Sequence, residues 1–238
     1  MKILVFSDLH GSLNGLKALM ATDDYLTADK VIFLGDVTFG CSRPDECIKL
    51  LNNSNITCLL GNNDRYIINN HIAEKEMHTF DAGKHKQMEY MLKNTSQESK
   101  DIMNSWLLDL SMNINNKEFY FVHYPWLDID SDPYAAPCPT EPSIKALKAL
   151  FKDITADYII FGHEHRSYHI IDNITHYICI DTVSLKIPGH YIIINTNNDD
   201  IQIEDRYLNY DIQEEILLMD KAGYPYNKTK IGMKKSSN

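Results

Sequence analysis

Short apolar runs alternate with helically spaced apolar positions through the first third of the chain. "KILVFS" (2–7), "KVIFLG" (30–35) and "ITCLLG" (56–61) are continuous apolar stretches ended by Ser or Gly, the texture of strands buried on both faces. Between them, "SLNGLKALMAT" and "RPDECIKLLNN" set Leu, Ile and Ala at helical spacing, the second opening on Ser42 and Pro44 as cap and first-turn residues. Strand, helix, strand, helix, strand predicts a parallel sheet with helices packed on it.

Residues 65–110 change character, with few β-branched residues and many Lys, Glu, Gln and Met. "KHKQMEYMLKN" and "SQESKDIMNSWLLDL" are expected to be helices, the latter starting near Ser96 and Ser99. This helical insertion forms an added layer or a lid. Strands return with "SMNI", an Asn115–Asn116 turn and "EFYFVHY", a predicted hairpin. A proline-rich loop (124–142) leads to the helix "PSIKALKALFKDI". The strands "DYIIFG", "SYHIID", "THYICID", "HYIIIN" and "IQIEDRYL" then read as an antiparallel meander, and "YDIQEEILLMDKAG" as a last helix. We expect one α/β domain over 1–220 and a loose tail over 221–238 ending in "KKSSN".

The 238 residues suffice for one sizeable core, and 44% hydrophobic with 24% charged residues is ordinary for a globular chain. The net charge of −10 disfavours nucleic-acid polymers and anionic membranes as partners, while leaving room for a small anion near bound cations. Five cysteines, an odd number with no C-x-x-C pair, exclude a disulfide scaffold and a cysteine-rich zinc site. The four-residue apolar run in "MKILVFSD" is too short for a signal-peptide core, and no segment reaches membrane-spanning length. A soluble, cytoplasmic protein is expected. Oligomeric state is not legible.

The chemistry gathers where the strands end. "VFSDLHG" ends in Asp8 and His10, "IFLGDV" in Asp36, and "CLLGNND" in Asn62, Asn63 and Asp64. "FYFVHYP" ends in His123, and "YIIFGHEH" in His163 and His165. Taken singly these are caps, turns or packed histidines, and Asn62–Asn63 would be an ordinary turn. Together they finish five successive strands. In an extended chain residues i and i+2 point the same way, so Asp8 with His10, and His163 with His165, are expected to converge as paired ligands. Two aspartates, one asparagine and four histidines are too many for a single tetrahedral zinc. They suit two divalent ions about 3.5–4 Å apart sharing a carboxylate. Oxygen and imidazole donors without thiolate fit Mn, Fe or Zn, with Mn favoured.

In this order, "SDLHG", "GDV", "GNND", "VHY" and "GHEH" resemble the motifs of the calcineurin-like metallophosphoesterase superfamily, across residues 7–165. "GDVTFGCSRPDECIKLL" and "KAGYP" are similar to its small bacterial and archaeal phosphoesterase (phosphodiesterase) branch. The resemblance implies a β-sandwich of two mixed sheets flanked by helices. It implies one ion held by Asp8, His10 and His165, another by Asn62, His123 and His163, and Asp36 bridging both. The implied activity is hydrolysis of a phosphoester, from a small phosphodiester or nucleotide, by a metal-bridging hydroxide. A phosphoprotein phosphatase, a dinucleoside-polyphosphate hydrolase and a non-catalytic scaffold are the alternatives on the same fold.

One position departs from the family. Many members carry histidine where this chain has Asn63, with an aspartate where it has Phe39. Asn63 and Asp36 are the candidate catalytic residues, and Asn63 and Arg65 the candidate substrate-binding ones. An amide donates a hydrogen bond but is no general acid near pH 7. Asn63 could instead only finish the turn. His71, His78, His85 and His190 are candidates to replace the missing acid, and the segments 65–110 and 124–139 are expected to line the pocket.

Overall fold

A computed structural model describes residues 1–72, 81–128, 132–197 and 200–225. The chain builds two five-stranded mixed sheets. The first, in the order β12-β11-β1-β2-β3, consists of β1 (Lys2–Phe6), β2 (Lys30–Phe33) and β3 (Ile56–Cys58), mutually parallel, extended by the hairpin of β11 (Gly189–Asn197) and β12 (Asp200–Leu208) antiparallel to β1. The second, in the order β4-β5-β8-β10-β9, has β5 (Lys117–Val122), β8 (Tyr158–Phe161) and β10 (His176–Cys179) parallel, flanked by antiparallel β4 (Asp109–Ile114) and β9 (Tyr168–Ile171).

Alternation along the strands divides the core. On β1, Ile3 and Val5 meet Ile32, Leu34, Phe119, Phe121, Ile160, Ile178, Ile192 and Ile194 between the sheets. Leu4 and Phe6 face the opposite way, into a layer of helices: α1 (Leu13–Met20), α3 (Pro44–Asn52), α4 (Asn62–Asn69), α5 (Ala82–Asn94), α6 (Gln97–Asn104) and α8 (Ile212–Ala222), with the short α2 (Asp23–Leu26) beside α1. On the outer face of the second sheet, α7 (Ile144–Leu150) packs Leu147 beside Phe151 and Phe161. The β-sandwich flanked by helices is therefore as the sequence implied.

Several local readings change. The expected meander is divided between sheets: β8 and β10 are parallel, β9 folds back on β10, and β11–β12 joins the other sheet. Periodicity of two identifies strands but carries no information about their partners. The proline-rich loop contains a small hairpin, β6 (Trp126–Asp128) with β7 (Asp132–Ala135). Residue 43 rather than Ser42 precedes the first turn of α3, without a side-chain cap, and Pro44 begins the helix. Helix α6 ends at Asn104, because Leu107 bridges to Leu59 and residues from Asp109 onward are claimed by pairing with β5. Within the 65–110 insertion, α5 and α6 form a packed layer: Met91 and Met103 are fully buried in the helix-side core. Helix α8 runs past residue 220 to a left-handed Gly223, and Tyr224 beyond it is buried against Tyr90. The expected loose end, "KKSSN", lies outside the described residues. No helix among the described residues is long and apolar enough to cross a membrane.

Candidate metal centre

Parallel strands aligned in register deliver their carboxyl ends to one edge, and all five motif loops lie there. The loops are knitted to each other by backbone bonds: Asp8 N–H to Gly35 O (3.0 Å), His10 N–H to Asp36 O (2.9 Å) and Gly162 N–H to His123 O (3.0 Å). Close approach fixes the glycines of two motifs. A Cβ on Gly61 would stand 2.0 Å from Asp36 Oδ1, and one on Gly162 2.0 Å from Ser7 Oγ and 2.7 Å from Asp8 Oδ2.

Two ligand-bearing groups result. In the first, His10 Nε2 lies 2.9 Å from His165 Nε2 and 3.6 Å from Asp8 Oδ1, and His165 Nε2 lies 3.1 Å from Asp8 Oδ1. In the second, His123 Nε2 lies 3.5 Å from Asp36 Oδ2, while Asn62 Oδ1 is 3.2 Å from His123 Nε2 and 3.0 Å from His163 Nδ1. All seven candidate ligands are thus brought together. Asp8, His10, Asp36, Asn62 and His123 are buried, and His163, His165 and Asn63 form the open side.

The convergence has a different origin from the expected strand alternation. Asp8 (φ 57°), His10 (φ 52°), Asp36 (φ 62°), His163 (φ 69°) and His165 (φ 51°) all have left-handed backbone. The motifs are tight turns, and His163 and His165 diverge, one to each group. Non-glycine residues in this region carry strain of about 1–3 kcal/mol each, and such residues cluster at functional sites.

The donor chemistry fits divalent cations. His10 Nδ1–H donates to Thr38 O at 3.0 Å, so its Nε2 presents a lone pair toward Asp8 and His165. Asp8 Oδ1 is buried without a hydrogen-bond donor. Burial opposes charge on Asp8, yet His165 and His10 hold its carboxyl well below the usual range. Burial likewise opposes a charge on His123, but the Asp36 carboxylate pushes it up to about 9. His163 is pushed down to about 3, by burial and then by His123, so its ring stays neutral, with one nitrogen carrying a proton and the other a lone pair. Buried carboxylates held ionised beside converging imidazole nitrogens, whose protons a bound cation displaces, are what a cation site requires.

Two residues singled out for substrate or catalysis have specific settings. Asn63 donates its backbone N–H to Asp36 Oδ1 (2.9 Å) and its side-chain amide to Asp36 Oδ2. Arg65, on the next face of α4, holds its guanidinium 5.6 Å from the ring of Trp126 on β6. Of the spare histidines, His190 is occupied by Asp205 (2.9 Å), and His78 lies outside the described residues. Phe39, also left-handed (φ 63°), is buried in the helix-side core.

Asp64 is the residue whose role the sequence reading left unassigned. Its Oδ2 accepts from Asp36 N–H (2.9 Å) and Gly61 N–H (3.1 Å). Its Oδ1 accepts from Val37 N–H, Thr38 N–H and the Thr38 hydroxyl, each at 3.0 Å. One carboxylate thereby shapes the Asp36 turn, and through Thr38 O it also orients His10. The available signal was its place three residues after Gly61, where an acidic side chain returns to the start of a helix.

The family model for the calcineurin-like phosphoesterase superfamily domain matches residues 1–198. The chain belongs to that superfamily of metal-dependent phosphoesterases. Among solved structures, a metallophosphoesterase from Sphaerobacter thermophilus superposes with TM-score 0.74 at 18% identity, covering 97% of this chain and 96% of that one. The hypothetical protein PH1004 from Pyrococcus horikoshii OT3 superposes with TM-score 0.75 at 13% identity, covering 94% of each. At these identities the likeness is one of fold. A curated relative, uncharacterized protein MJ0912 of Methanocaldococcus jannaschii, is 25% identical over 121 residues. The match spans 51% of this chain and about half (48%) of that protein.

Proposed function

We propose that this protein is a dinuclear metal-dependent phosphohydrolase acting on a small phosphoester, such as a phosphodiester or nucleotide. The observation that carries the reading is the pair of adjoining buried ligand groups described above. Asp8, His10 and His165 would hold one ion; Asn62, His123 and His163 would hold the other, with Asp36 shared. Mn, Fe and Zn all suit oxygen and imidazole donors, and Mn is favoured. Two such ions, when bound, supply charge neutralisation for the phosphoryl oxygens and an acidified water. The chain's own part is to fix the ligands and to leave the His163–His165–Asn63 side open for the phosphate. Asn63 keeps two N–H donors on Asp36, which holds that carboxylate's orientation. It donates no proton to a departing alkoxide. Arg65 beside Trp126 is the candidate to bind the remainder of the substrate.

Net charge supports a small substrate over a nucleic-acid polymer, and five free cysteines support a reducing compartment such as the cytoplasm. Elemental analysis with a phosphatase and phosphodiesterase panel in added Mn²⁺ tests the reading. Expected are close to two ions per chain and hydrolysis abolished by chelation, with Asp36→Asn losing both bound metal and activity. Asp36→Asn retaining both ions and most activity would overturn the shared-carboxylate assignment.

A further inference from the structure

We propose that Glu164 is a positioning residue that fixes the two ion sites relative to one another, through hydrogen bonds from its buried carboxylate to the segments that carry their ligands. The inference rests on the dinuclear reading above. Glu164 stands alone between His163 and His165, which belong to different ligand groups. Both neighbours have left-handed backbone, and Glu164 N–H closes the turn onto Gly162 O at 2.8 Å. The relative placement of the two groups therefore depends on how this one residue is held.

Its side chain is completely buried, with 0% exposure, yet it belongs to neither ligand group. Oε1 accepts from the Tyr124 hydroxyl at 3.0 Å, and Oε2 from Arg166 Nε at 2.5 Å. Tyr124 follows the ligand His123 directly, and its ring lies on His163 with centroids 4.5 Å apart and planes at 31°. Arg166 continues to Pro139 O (2.5 Å) and Thr140 O (3.3 Å), securing the chain that returns from the β6–β7 hairpin. One carboxylate thus ties the His123 segment, the 163–166 turn and the 139–140 segment together. The Arg166 side chain is 34% exposed, and an ion pair with one partner open to solvent is a weak source of stability. Geometry is the property that this one supplies.

Groups that orient metal ligands from behind typically change metal affinity 10–100-fold when removed. The test is titration of the metal-free full chain with Mn²⁺, followed by calorimetry and electron paramagnetic resonance. Two neighbouring Mn²⁺ ions give an exchange-coupled spectrum, and an isolated ion gives a six-line one. Glu164→Gln is expected to bind its first ion as the parent does and its second 10–100-fold more weakly. The six-line signal should then persist where the parent is already coupled. Tyr124→Phe keeps the ring on His163 and removes only the hydroxyl; it should shift the second affinity the same way by less, and it carries the test if Glu164→Gln does not fold. Both affinities within twofold of the parent, with an unchanged coupled spectrum, would overturn the proposal, including where the unfolding midpoint falls. A parent chain that binds fewer than two ions would instead overturn the dinuclear reading on which it stands.

Discussion

Replacing Asp64 by asparagine removes one oxygen from a carboxylate that accepts five hydrogen bonds. The new amide can be turned either way. With its NH₂ at the Oδ2 position it faces the N–H groups of Asp36 and Gly61; at the Oδ1 position it faces three donors from Val37 and Thr38. The smaller loss is two bonds to a charged acceptor, at about 1.5–3 kcal/mol each. All the donors are buried, so the total is about 3–6 kcal/mol, at the large end of single-residue effects. For a chain of this length it corresponds to a fall in Tm of about 6–24 °C. Urea unfolding in the presence of chelator isolates this term, because bound metal would add its own stabilisation. Asp64→Asn should move the midpoint with little change in slope. A loss below about 1 kcal/mol would refute the view that Asp64 organises the Asp36 turn.

Asn63 should leave the enzyme sensitive to leaving groups: aryl esters should be hydrolysed much faster than alkyl monoesters, since a positioned acid contributes roughly 10²–10⁴-fold. On kcat/KM, Asn63→His should recover part of the alkyl rate and Asn63→His with Phe39→Asp more, at some loss of stability because position 39 is buried; equal gains on both ester types would refute the assignment. Arg43 donates from Nη2 to both oxygens of the buried Glu215 (3.0 and 3.1 Å), so Arg43→Met should cost about 3–5 kcal/mol in thermal unfolding, and Arg43→Met with Glu215→Gln less. Burial raises the Asp45 carboxyl, but Ser99, Ser96 and Lys49 outweigh it and hold the carboxyl far below its usual range. The stability it adds is present above the ordinary carboxylate pKa of about 4 and is lost as pH falls through the lower folded value. The Tm gap between parent and Asp45→Asn should therefore be larger at pH 6 than at pH 3, and a constant gap would contradict the argument.

The elements with apolar runs of their own were legible, because burial on both faces leaves a mark on each residue of β1, β2 and β8. So were the ligand residues, since Asp, Asn and His at strand ends stand out against that background. Pairing was not, because the β8–β12 strands look alike whichever sheet accepts them. Helix α6 was overextended because "WLLDL" suits a helix locally, and only the long-range partners Leu59 and β5 decide against it. Asp64 and Glu164 were missed for a related reason. A carboxylate in a turn or in the first turn of a helix reads as solvated until the fold shows which donors close around it.

The left-handed turns have a consequence for selection. Asp8, His10, Asp36, His163 and His165 occupy backbone that glycine or asparagine adopts with less strain. Folding and catalysis therefore pull in opposite directions at the same five positions. A library of this chain screened for survival to heat or protease, in chelator and without a substrate, should enrich glycine and asparagine at residues 8, 10, 36, 163 and 165 before it improves the core. The same screen run in saturating Mn²⁺ should retain the parental residues there. Comparing the two enriched pools would show, residue by residue, how much of the strain bound metal offsets.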